Sequence, residues 1–422
     1  MALSCLAGFR APFRGSGGNR TFCKDRGIRS LLRNSHGLMV MAVKTQSLEV
    51  RWNPEQPILE VTHMDEPYIP EELMAEIAEL RAGFGEELVL LGHYYQREEV
   101  IRFADRRGDS LALSQHAAKV RDARYVIFLG VHFMAETADM LTPPEVPVIL
   151  PDLRAGCTMA DMADIEDVED AWRQLEEILD TSRIIPVTYI NSTAAVKSFV
   201  GEHGGTICTS SNAHKIIRWA LEKGEKLFFF PDQHLGRNTC SALGIPLEKM
   251  PLWNPEEPLG GNDAGRLRDA RVLLWRGHCS VHQHFQPQHA DIWRSRVPDI
   301  KIIVHPECSF EVVQKADYVG STSYIRKTIS EGPPGSKWAV GTENHLVASI
   351  GREVAVEGKE VYSLAPYACL CSTMFRISPQ ALRDSLEALK RGEYRWRVQV
   401  DPATKQWADK ALERMFEITG NG

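Results

Sequence analysis

Three short apolar runs empty into polar clusters, and the chain is organised around them. Ile302, Ile303 and Val304 stop at His305-Pro306-Glu307-Cys308; Leu88–Leu91 runs into Gly92-His93-Tyr94-Tyr95-Gln96; Ile184–Val187 runs into Thr188-Tyr189-Ile190-Asn191-Ser192. A β-branched run of this length, bounded so abruptly, predicts a strand buried on both faces. A strand that delivers imidazole, carboxylate or phenol groups at its carboxyl end is placed where open α/β sheets bind ligands.

Each run opens a longer unit of the same composition. A hydroxyl-bearing helix start follows, at Gly108-Asp109-Ser110, Cys208-Thr209-Ser210 and Gly320-Ser321-Thr322. A second strand then ends in VHFMAE, PDQHLG or GTENHL, and a further strand leads to Gly156-Cys157, Gly277-His278-Cys279 or Cys369-Leu370-Cys371. The repeat predicts an α/β fold of three pseudo-symmetric αβα sandwich units with parallel sheets around a central site. Expected boundaries are 46–166, 167–290 and 291–376, followed by C-terminal helices over 377–422 that pack back on the first unit.

Helix signals fill the intervals. Pro70 to Arg81 carries apolar positions at helical spacing with two acidic residues in its first turn, and Ser114 to Val120 is a further short helix. Ile165 to Leu179 has Val168, Ala171, Trp172, Leu175 and Ile178 on one face. Ser210 or Ser211 is expected to cap a helix through Leu221. Ile325–Ser330, the stretch after Ser378-Pro379 and the stretch after Asp401-Pro402 complete the set.

Composition narrows the function classes. The 422 residues are 43% hydrophobic and 25% charged, as in globular proteins, and no apolar stretch approaches the ~20 residues of a membrane span. Residues 1–45 hold eight Lys or Arg against one acidic residue, leaving the remainder at −14 of the overall −7. A body that acidic is a poor general nucleic-acid binder. The basic leader is expected to be disordered and reads either as a start upstream of Met39 or Met41, giving a cytoplasmic protein, or as an organelle transit peptide.

Nine cysteines, odd in number and scattered, argue against a disulfide scaffold. Cys157, Cys279 and Cys371 fall at matching places of the repeat. A single cysteine is more often a small buried hydrophobe, and no CxxCxxC run is present. Three at equivalent positions suit a metal centre that keeps one coordination position open. His93, Tyr95, Tyr189, Asn191, His305 and Glu307 would face that centre as acid–base and hydrogen-bonding groups. Ser110, Ser210 and Thr322, at helix starts, would favour carboxylates or a phosphate. Absence of Walker A and strand-following GxGxxG motifs disfavours nucleotides.

GHYYQ at 92–96, GCTMAD at 156–161, YINS at 189–192, TSSNA at 209–213, PDQHLG at 231–236, WRGHCSVH at 275–282, HPEC at 305–308, GSTS at 320–323 and CxxM at 371–374 together resemble the quinolinate synthase family, iron–sulfur enzymes of NAD biosynthesis. The resemblance runs from about residue 70 to 376. It implies a [4Fe–4S] cluster on Cys157, Cys279 and Cys371 with one open iron, and condensation of iminoaspartate with dihydroxyacetone phosphate to quinolinate, with loss of phosphate and water. It implies catalytic roles for His93, Tyr95, Tyr189 and Glu307. Substrate contacts would come from His93, Ser110, Tyr189, Ile190, Asn191, Ser210, His305, Pro306, Glu307 and Thr322. The enzyme that supplies iminoaspartate is a possible transient partner. Cys308 becomes a bystander, and Cys369 remains an alternative to Cys371. Competing readings are another open-iron hydro-lyase or a non-catalytic metal-binding regulator.

Overall fold

The computed structural model describes residues 69–420, so the expectations for the basic leader and for 46–68 lie outside the described residues. Apolar runs become strands in chain order: β1 Leu88–His93, β2 Arg106–Gly108, β3 Tyr125–Leu129, β4 Val148–Ile149, β5 Ile184–Tyr189, β6 Thr206–Cys208 and β7 Lys226–Phe230. They continue with β8 Leu252–Trp253, β9 Val272–Trp275, β10 Lys301–Val304, β11 Tyr318–Val319, β12 Lys337–Gly341, β13 Glu360–Ser363 and β14 Arg397–Val398. Three sheets result, ordered β14-β4-β3-β1-β2, β6-β5-β7-β9-β8 and β11-β10-β12-β13. All pairings are parallel except β14 against β4.

In each sheet the first strand lies between the second and the third. The chain therefore steps one way and then reverses, and a crevice opens at the carboxyl ends on either side of the reversal. Covered on both faces, these strands bury nearly every side chain, which is why the sequence shows continuous apolar runs rather than alternation. The second sheet departs from the others by β8, which is added beside β9 where the Asn254–Asn262 loop interrupts the unit.

The repeat extends to single side chains. Asp105 and Asp317, just before the second strand of their units, each accept a first-strand N–H, from Leu90 at 2.8 Å and from Ile302 at 2.7 Å. Each also pairs at 2.8 Å with an arginine of the helix preceding that strand, Arg81 or Arg294. The carboxylates staple helix, first strand and second strand together.

The C-terminal helices divide between units, which corrects the expectation that they all return to the first. Helix Pro379–Lys390 packs on helix Glu71–Phe84, and β14 extends the first sheet. Helix Pro402–Thr419 instead lies on helix Ala194–Glu202 and β6 of the second unit. Gly201 permits this approach, since a Cβ there would stand 2.0 Å from the Trp407 carbonyl oxygen. Thr206 Oγ1 donates to the Ala411 carbonyl at 2.9 Å across the same seam.

Helix starts also differ in detail. The expected helix at Ser114 begins earlier, at Ser110, capped by Asp109, and helix Thr322–Ser330 is capped by Ser321. Neither Ser210 nor Ser211 caps the following helix: Asn212 occupies that position, and its Oδ1 accepts the Thr209 N–H at 2.6 Å, which folds the 209–211 turn.

Candidate active site

The first strands of the first and third units end in one local design. His93 Nδ1 accepts the Tyr95 N–H at 3.2 Å, and His305 Nδ1 faces the Glu307 N–H at 3.4 Å. Each neutral imidazole is thereby left with its proton on Nε2. Burial lowers His93 to about 4 and His305 to about 3, so both are hydrogen-bond donors near neutrality rather than cations.

Glu307 is 4% exposed. Burial pushes its carboxyl up, but the imidazoles of His305 and His282 and hydrogen bonds from His282 and Tyr189 outweigh that effect and hold it down at about 2. His282 Nδ1 stands 2.7 Å from Glu307 Oε2, and the ring stacks on His305 with centroids 4.7 Å apart. His282 Nε2 lies 3.3 Å from Thr342 Oγ1, which is 2.8 Å from the Tyr95 hydroxyl. Tyr189 joins the other end, bonded to Glu307 and to Ser210. Burial, with Glu307 nearby, pushes both phenols well above their ordinary value, so both remain protonated. Tyr95, Thr342, His282, Glu307 and Tyr189 thus form one buried chain of exchangeable groups drawn from all three units.

Of these groups Tyr95, Tyr189 and Glu307 line one cavity, with His282 and Thr342 behind its wall. Its wall includes His93, Tyr95, Ser110, Tyr189, Asn191, Ser210, His305, Glu307, Thr322, Cys157, Cys279 and Cys371. Ile190 and Pro306 do not line it, contrary to their expected contact role. Ile190 is a buried wedge whose N–H bonds to the Cys208 carbonyl, and the Pro306 carbonyl accepts from Asn238 Nδ2 at 2.8 Å. Ser110 and Thr322 are the first residues of helices whose N-termini face the cavity wall. Asn191 Oδ1, Thr209 Oγ1 and Thr322 Oγ1 are buried with no protein partner, as expected of atoms reserved for a ligand.

The three thiols share a second local design. Each sits at the start of a short turn whose N–H groups point back at sulfur: Met159 and Ala160 on Cys157, His282 on Cys279, and Thr373 and Met374 on Cys371. Such bonds favour a thiolate. Burial nonetheless pushes Cys157 up to about 12 and Cys279 and Cys371 above their ordinary value, and Cys371 raises the other two further. Three desolvated, mutually repelling thiols with N–H donors aimed at them suit a metal centre whose positive charge deprotonates them. Cys369 differs: its sulfur turns to the Tyr367 carbonyl at 3.7 Å, and it does not line the cavity. Cys308 turns to the Gly341 carbonyl.

Among the described residues the tightest group of possible metal ligands is Cys279, His282 and Glu307, within 4.8 Å of one another. Cys157 and Cys371 stand outside that group while lining the same cavity.

The family model for quinolinate synthetase A protein matches residues 75–417. The chain belongs to this family. Quinolinate synthase from Herpetosiphon aurantiacus is 54% identical over 354 residues, covering 83% of this chain and 94% of that one. The enzyme of that name from Listeria innocua is 53% identical over 349 residues, covering 83% and 94%, and that from Streptomyces coelicolor 49% over 348, covering 82% and 88%. In this member of the quinolinate synthetase family, His282 and Thr342 are the site residues that sequence reading passed over. Both lay in quoted motifs, WRGHCSVH and GTENHL, which had been read for a thiol and for a strand end.

Proposed function

We propose that the chain is a quinolinate synthase that condenses iminoaspartate with dihydroxyacetone phosphate, with loss of phosphate and water, in NAD biosynthesis. Membership of the family and the names of its relatives support the activity. The observation that carries the residue assignment is the meeting of three N–H-ringed thiols and three strand ends on one cavity. Cys157, Cys279 and Cys371 would hold a [4Fe–4S] cluster. When bound through three thiolates, such a cluster supplies an open iron that acts as a Lewis acid toward carbonyl and hydroxyl oxygens.

The chain's own groups divide the remaining work. Glu307, ionised and buried, is the base that takes a carbon-bound proton from the condensing substrates. His282 and Thr342 connect it to Tyr95, whose phenol donates a proton to a departing hydroxyl. Tyr189 donates to the ionised Glu307, and once Glu307 has taken up a proton the phenol is free to donate to developing negative charge. His93 and His305, as Nε2–H donors, orient carboxylates. Ser110, Thr322 and their helix N-termini, with Ser210 and Asn191, hold the remaining anionic groups.

The test is direct. Anaerobically purified protein should contain about four irons and four sulfides per chain, and should form quinolinate, identified by chromatography, from the two substrates. Cys279→Ala should lose both the visible absorption of the cluster and the product. A brown, fully active Cys279→Ala protein would remove the ligand assignment.

A further inference from the structure

Lys197 is fully buried in helix Ala194–Glu202, directly after the YINS strand end, and the reaction described above makes no use of it. Its Nζ donates to the Ser192 carbonyl at 2.7 Å and stands 5.4 Å from the centre of the Phe133 ring. Among the described residues no carboxylate oxygen lies within 4.0 Å of it. An ammonium group has three protons to place, and a buried cation without a counter-charge is costly. The missing negative charge has to come from somewhere close by.

The surroundings indicate where. Phe133 and Cys157 line the same cavity, and the His132 N–H donates to the Ala155 carbonyl at 2.7 Å, clamping the loop that carries Cys157 to the start of the Phe133 helix. Lys197 therefore sits behind the wall that presents one of the three thiols. Burial lowers its pKa to about 8, opposed by the negative charges of Glu136 and Cys157. Glu136 is itself engaged, accepting the Ala194 N–H at 3.0 Å.

We propose that Lys197 is a built-in counter-cation for the iron–sulfur cluster, held behind Phe133 and Cys157 so that it offsets the negative charge of the thiolate-bound centre and raises its reduction potential. This rests on the cluster reading given above. Three thiolates on a dipositive cubane core leave a net negative charge, which grows by one on reduction. A fixed positive charge in a dry setting therefore favours the reduced form more than the oxidised one.

The experiment uses full-length, anaerobically purified protein. Iron and sulfide content of the unsubstituted protein tests the cluster reading by itself. Redox titration followed by the cluster's visible absorption is then compared across Lys197→Gln, Lys197→Arg and Glu136→Gln. Lys197→Gln, which keeps a donor for the Ser192 carbonyl, should shift the potential to a more negative value. Lys197→Arg should restore the original value, and Glu136→Gln should shift it to a more positive one. A Lys197→Gln protein that stays folded by circular dichroism but fails to load iron also supports the proposal. A fully loaded Lys197→Gln protein with unchanged potential overturns it. Where Lys197→Gln does not fold, an unchanged potential in Glu136→Gln overturns it and a positive shift supports it.

Discussion

Thr342 supplies one hydroxyl, and that hydroxyl joins Tyr95 of the first unit to His282 of the second. Valine fills nearly the same space without the oxygen, so Thr342→Val breaks the connection and leaves Tyr95 and His282 without that partner. The substitution should lower kcat by about 100-fold, the lower end of general acid–base contributions, with little change in KM. Thr342→Ser should recover most of the rate. Steady-state quinolinate formation measures both, and an undiminished kcat in the valine variant would dissolve the proposed relay. His93, Tyr189, His305 and Glu307 were legible in the sequence because each lies within three residues of the end of an apolar run. His282 and Thr342 were not, since a histidine three residues after a thiol and a threonine within a strand-end motif acquire their meaning only when two units face each other. Ile190 and Pro306 failed in the opposite way. They share motifs with reactive neighbours, but the Ile190 N–H is bonded to the Cys208 carbonyl and the Pro306 carbonyl to Asn238, away from the cavity.

At the scale of elements, the seam between helices Ala194–Glu202 and Pro402–Thr419 depends on one missing methyl group. A Cβ at Gly201 would meet the Trp407 backbone, which cannot yield as a flexible side-chain tip can. Gly201→Ala should therefore cost about 1–3 kcal/mol of stability, the usual penalty of overpacking, although alanine is the better helix former. Urea denaturation would show it as a lower midpoint, and a raised midpoint would mean that the seam is loose. The sequence announced the last helix through Asp401-Pro402 and its apolar stripe. It did not disclose which unit the stripe covers, because an amphipathic face records that it will be buried but not against what. The same limit explains the caps: Ser210 and Ser211 are good capping residues, and the Asn212 side chain took the turn instead.

Over the whole molecule, burying neutral imidazoles makes stability depend on pH. An unfolded chain takes up protons at histidine below about pH 6.5, whereas the folded protein withholds them at His93 and His234 until about 4 and at His305 until about 3. These pKa values are lowered by folding, so their contribution is complete above the unfolded value and is lost as pH falls from there towards the folded values. For a fully buried imidazole the full loss is on the order of 3–5 kcal/mol. The melting temperature of the metal-free protein should be level above about pH 7 and fall steadily towards about pH 4.5. A flat profile across that window would mean that these rings are charged in the folded state. The three-sheet architecture was legible because the unit is used three times and errors in one copy are checked by the others. The inserted β8 and the antiparallel β14 were not, since each occurs once and spans two residues.

The spacing of the thiols along the chain bears on how such a protein is born. Cys157, Cys279 and Cys371 follow strands of three different sheets, 122 and 92 residues apart along the chain. On the proposed ligand set, a ribosome must have built all three units before the third sulfur exists to be gripped. A cluster gripped by all three sulfurs then requires the three sheets to have come together, so an intact cluster would certify that their assembly had taken place.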